Sequence, residues 1–75
     1  MTEQELKEKY NMFTDSWKFY RKWAVMEFPL PDEQWEQIVK EAHEIRDVYG
    51  GGKMIEYMMI AVTQGLDELE RKLKK

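Results

Sequence analysis

Residues 10–28, Tyr10-Asn11-Met12-Phe13-Thr14-Asp15-Ser16-Trp17-Lys18-Phe19-Tyr20-Arg21-Lys22-Trp23-Ala24-Val25-Met26-Glu27-Phe28, hold seven of the chain's ten aromatic side chains. Taken as a helix at 100° per residue, Leu6, Tyr10, Phe13, Trp17, Tyr20, Ala24 and Phe28 fall on one stripe about 80° wide, the usual core face. A second stripe of Met12, Phe19, Trp23 and Met26 lies roughly 130° around the cylinder. One neighbouring layer cannot cover both. The first stripe is therefore assigned to the core, and the second to another helix, another copy of the chain, or a ligand.

Working outward, the first helix is predicted over about 3–27, with Glu3/Lys7 and Glu5/Lys9 as favourable i,i+4 pairs. It stops before Phe28-Pro29-Leu30-Pro31, because each proline pushes its predecessor out of the α region. The second helix is predicted over 32–49. With Pro31 as N-cap, Leu30 and Trp35 have the spacing of a hydrophobic staple, and Asp32 is the alternative cap. Its expected core face is Trp35, Ile38, Val39, Ala42, Ile45 and Tyr49. Gly50-Gly51-Gly52 closes it, since glycine readily takes the left-handed conformation of a helix end.

The third helix is predicted over 53–72, with Ile55, Met58, Met59, Val62, Leu66, Leu69 and Leu73 on one stripe. Asp67/Arg71, Glu68/Lys72 and Glu70/Lys74 are its expected ion pairs. Met54, Tyr57, Ile60 and Ala61 add apolar surface away from the stripe, so the front half reads as buried on more than one side. The expected architecture is all-α: an antiparallel three-helix bundle, or a long helical hairpin with an N-terminal helix. Two over-apolar surfaces on so short a chain exceed what a soluble monomer usually exposes. A homo-oligomer is expected, its interface drawn from Met12, Phe19, Trp23, Met26, Met54, Tyr57 and Ala61.

Seventy-five residues make one domain, near the lower size limit for an unaided hydrophobic core. There is no cysteine, no apolar run near the ~20 residues a membrane span needs, and no basic-then-apolar leader. A soluble cytoplasmic protein without a membrane partner is the expectation. The net charge of −3 argues against duplex nucleic acid as a partner. Basic and acidic side chains number five and five in residues 1–28, two and six in 29–49, and five and four in 50–75. The middle helix is the acidic one, which reads as a solvated face.

Catalysis and cofactor binding find no pattern here, and no catalytic or metal-ligating residue is assigned. The single histidine, His43, has Lys40 three positions before it, where a di-iron helix carries glutamate. Ser16 lacks the setting of a nucleophile elbow. Gly50-Gly51-Gly52-Lys53 is followed by Met54, without the Ser or Thr of a phosphate loop, and reads as an inter-helix turn. The best candidate site is Lys18, Phe19, Arg21, Lys22 and Trp23. Flat rings stack on nucleobases and basic groups pair with phosphate, the minimal chemistry for holding a nucleotide.

The succession WKFYRKW, DEQWEQIVKEAHEI, a Tyr-Gly turn and LDELERK resembles small helical proteins of Firmicutes prophages and conjugative elements, over most of the chain. The resemblance implies a mobile-element accessory protein acting by occupancy, and it transfers no functional residue. Two functions are expected to compete. One is a non-catalytic binder that sequesters a small anionic nucleotide, such as a host immune signal, at an oligomer interface. The other is a protein-interaction module that inhibits or adapts a host or element protein through its aromatic and acidic helix faces.

Overall fold

The computed structural model describes residues 1–73. Three helices make up the fold: α1 (Glu3–Ala24), α2 (Asp32–Val48) and α3 (Lys53–Leu73). Among the described residues there is no strand, and no helix is long and apolar enough to cross a membrane. The three-helix bundle anticipated from the hydrophobic periodicity is the observed architecture.

Local chemistry sets each boundary. Thr2 caps α1, its hydroxyl accepting the Glu5 N–H at 3.2 Å, with Glu3 and Glu5 at the positive end of the helix dipole. The helix closes at Ala24, three residues before the expected Glu27, and Met26 N–H turns back to the Trp23 carbonyl. The early stop lets Leu30 reach the core, where it is buried and its N–H bonds to Glu70 Oε1 at 2.9 Å. Pro31 is the N-cap of α2, its carbonyl accepting the N–H groups of Gln34 and Trp35. Trp35 Nε1 donates to the same Glu70 oxygen at 3.3 Å, so one α3 carboxylate secures both ends of the staple segment. Lys74, the residue expected to pair with Glu70, lies outside the described residues. Asp67 and Arg71 do pair, at 3.1 Å.

At the other end of α2, Gly50 and Gly51 have φ of +79° and +71°. Gly51 N–H reaches the Arg46 carbonyl and Gly50 N–H the Asp47 carbonyl, the paired bonds of a Schellman closure. This turn sends α3 back along α2. Ser16 Oγ lies 3.6 Å from Met58 Sδ, and a Cβ at Gly65 would meet the Tyr20 ring at 3.2 Å. Rising residue numbers in α1 thus match rising numbers in α3. The two helices run parallel, with α2 antiparallel to both, in an up-down-up bundle.

The core is built from Met12, Phe19 and Trp23 of α1, Leu30, Ile38 and Ala42, and Ile55, Met59 and Leu66 of α3. This reverses the expectation for most of α1. The stripe assigned outward supplies the core through Met12, Phe19 and Trp23, 3%, 4% and 5% exposed, while the stripe assigned inward splits: Leu6, Tyr10, Phe13 and Trp17 face solvent, and Tyr20, Ala24 and Phe28 pack against the core as expected. Ser16 explains the exchange. It completes the series 12, 16, 19, 23 on the core side and is itself buried, a small residue that brings α3 close. Two smaller corrections follow the same geometry: Val39 is exposed, unlike Ile38 and Ala42, and Leu73 is exposed near the end of α3.

Candidate functional site

Residues 18–23 supply the sequence-derived ligand cluster, and α1 distributes them over different surroundings. Lys18 is exposed; Phe19 is buried in the core. Lys22 Nζ stands 2.6 Å from Glu41 Oε1 and 5.3 Å over the Trp23 ring, and Trp23 Nε1 donates to Glu41 Oε2 at 2.9 Å. Burial pushes the Glu41 carboxyl up, but bonds from Lys22 and Trp23, with the lysine's charge, outweigh it and hold the group below its ordinary value. These three side chains fasten α1 to α2. They do not form an open cradle for a nucleotide, because Phe19 and Trp23 present no free ring face to solvent. Only Arg21 keeps an accessible aromatic partner, lying 5.7 Å over Trp17.

The expected oligomer residues divide the same way. Met12, Phe19 and Trp23 fill the chain's own core and are corrected out of the interface. Met26 lies beyond the end of α1 and is exposed. Met54, Tyr57 and Ala61 remain on the surface of α3. The front half of α3 is therefore not buried on several sides, as its composition suggests, but carries an uncovered apolar flank.

That flank is continuous with the exposed stripe of α1. The seam between α1 and α3 runs through Ser16–Met58 and Tyr20–Gly65. Glu41 marks the α2 side of α1, and the groove between α2 and α3, lined by Glu56, Met59 and Thr63, marks the α2 side of α3. Turning away from the seam in the opposite sense, at 100° per residue, brings Phe13, Trp17 and Tyr10 round on α1 and Met54, Ala61 and Tyr57 round on α3. All six lie on the face of the α1–α3 pair that α2 does not cover. Leu6, Tyr10, Phe13, Trp17 and Tyr57 are 58–68% exposed. The four rings alone expose roughly 500 Å² at 150–250 Å² per aromatic side chain, in the range of the largest patch a monomer carries.

The molecule measures 47 × 18 × 17 Å, and its length has a local cause. Ser16 is the fourteenth residue of α1 and Met58 the sixth of α3, yet they stand level. In consequence α1 projects past the start of α3 by about eight residues, or roughly 12 Å at 1.5 Å per residue. Leu6 and Tyr10 sit on this projection, both well exposed.

His43, on the exposed side of α2, borders a groove of about 240 Å³ with Arg46 and Glu56. That volume is below the usual range for a small-molecule site. Asp47, placed where it could pair with His43, instead meets Arg46 at 3.4 Å. Comparison of the chain with protein families, with curated proteins and with solved structures gives no match.

Proposed function

We propose that this chain is a non-catalytic interaction module that works by occupancy through the apolar face shared by α1 and α3. The observation that carries the reading is the unbroken run of exposed Leu6, Tyr10, Phe13 and Trp17 beside Tyr57 on one side of a well-packed bundle. Four large side chains at helical spacing are a recognition pattern for a helix or groove. Aromatic residues, moreover, dominate interface energetics because each buries much area at small entropic cost. An adaptor or inhibitor of mobile-element type, as the sequence resemblance implies, would use such a face without turnover.

The geometry supports this reading over nucleotide sequestration through Lys18, Phe19, Arg21, Lys22 and Trp23. Two of those rings are in the core and one of the cations is paired with Glu41. The decisive experiment is native mass spectrometry of the purified chain, and of complexes it retains from a lysate, for wild type, Trp17→Glu and Lys18→Glu. The reading expects Trp17→Glu to lose every assembly the wild type forms while keeping its helical circular dichroism, and Lys18→Glu to keep them. Complexes that survive Trp17→Glu but vanish with Lys18→Glu or after nucleotide removal would overturn it in favour of the ligand site.

A further inference from the structure

We infer that the occupant of this face is a second copy of the chain, bound as an antiparallel two-fold dimer about a point between Asn11 and Met12 of α1. The inference rests on the proposed role of the α1–α3 face and adds the partner and its register. Its first support is the spacing of the stripe. Leu6, Tyr10, Phe13 and Trp17 are separated by four, three and four residues, a series that reads the same in both directions. An isologous contact requires this property, since residue i must meet j where j meets i. A two-fold axis at its midpoint sets Leu6 against the partner's Trp17 and Tyr10 against the partner's Phe13. The four-three alternation is also the seam of a paired helix.

The projection of α1 supplies the second support. In that register residues 3–10 of one copy lie level with residues 13–20 of the other, the stretch of α1 that borders Met54, Tyr57 and Ala61. Each uncovered projection then covers the uncovered face of the other copy. One arrangement thus accounts for both unpartnered features, an apolar helix end with nothing beneath it and an apolar face with nothing above it. At roughly 500 Å² of ring surface per copy, the rings of two copies together bury roughly 1,000 Å², the size from which specific interfaces begin.

Charge placement is the third support. Glu3 and Arg21 are eighteen residues apart, five full turns, and share one flank of the stripe. The axis brings Glu3 beside the partner's Arg21 at both ends. A parallel pairing would set Glu3 against the partner's Glu3 and Arg21 against the partner's Arg21.

Sedimentation equilibrium of the full chain over a concentration series tests this, with circular dichroism confirming the fold of each variant. The wild type is expected to be a dimer. Phe13→Glu, and independently Tyr57→Glu on the α3 side, are expected to weaken it by about 100-fold, because a charge is driven into an apolar contact. Glu3→Arg alone is expected to weaken it about tenfold, and Glu3→Arg with Arg21→Glu to restore it. A dimer weakened by Phe13→Glu but not restored by the double exchange overturns the antiparallel register. A wild-type monomer at every concentration overturns the second copy as occupant, and the broader reading then stands only if Trp17→Glu still abolishes complexes with other proteins. A dimer indifferent to Phe13→Glu and Tyr57→Glu overturns both.

Discussion

Glu41 shows how one side chain commits a whole surface. By accepting from Lys22 and Trp23 at once, it fixes which way the tryptophan points and ties two members of the basic–aromatic cluster to α2. Trp23→Phe deletes the donor and also shrinks an aromatic side chain in the core, so a loss above about 1 kcal/mol, the value typical of a single hydrogen bond, is expected from urea unfolding. The pH dependence follows from two groups of opposite sign. Glu41 has a depressed pKa in the folded state, so its contribution is present above the ordinary value of 4.5 and is lost as pH falls through and below it. Tyr49 donates to Asp15, and this bond first, then burial and the nearby Asp15 and Glu8 charges, pushes its pKa from 10.0 to about 12. Its contribution is complete below pH 10 and is lost as pH rises from 10 through 12. The urea midpoint should therefore be flat between about pH 5 and pH 10 and decline on both sides, and Tyr49→Phe should flatten the alkaline decline.

At the scale of elements, the connections are held by few atoms and are correspondingly testable. Glu70 Oε1 is the acceptor for both Leu30 N–H and Trp35 Nε1–H. Glu70→Ala strands two part-buried donors, with an expected cost of about 1–3 kcal/mol. Hydrogen exchange at Leu30 should accelerate more than at residues of the α2–α3 turn. In that turn, Gly50→Ala forces a side chain into the positive-φ region with nothing nearby to clash. The cost is then purely conformational, about 1 kcal/mol, and should appear as a lower thermal midpoint with unchanged helix content. Gly65 acts differently, since its missing Cβ leaves room for the Tyr20 ring and so sets the closeness of α1 to α3.

For the whole molecule, the exchange of stripes on α1 gives the sharpest contrast. Trp23→Glu puts a charge into a position 5% exposed and should unfold the chain, whereas Trp17→Glu, at a position 61% exposed, should leave the melt of the dilute protein within about 0.5 kcal/mol. The opposite result would restore Trp17 to the core. Ile38 and Leu66, both fully buried, mark the centre of the bundle. Ile38→Ala is expected to cost about 2–5 kcal/mol, a large share of the roughly 4–11 kcal/mol available to a chain of this length.

Sequence alone determined the three helices, their order and, to within three residues, their ends, because these are local matters: the proline pair after Phe28, the glycines after Tyr49, and apolar residues repeating every three or four positions. It also determined that α1 carries more apolar surface than one contact can bury. Which of its two faces turns inward was decided by tertiary structure. The longer stripe through Leu6, Tyr10, Phe13 and Trp17 is the more apolar by residue type, and Ser16 interrupts the other. Burial nonetheless went to Met12, Ser16, Phe19 and Trp23. The serine is small enough for α3 to approach, and the indole of Trp23 finds its acceptor in Glu41, eighteen residues away on another helix. A pattern along one helix holds no information about such a partner. For the same reason the cluster at residues 18–23 could be listed from the sequence but not sorted into core, tether and surface, and the face left open emerged only once the three helices were packed.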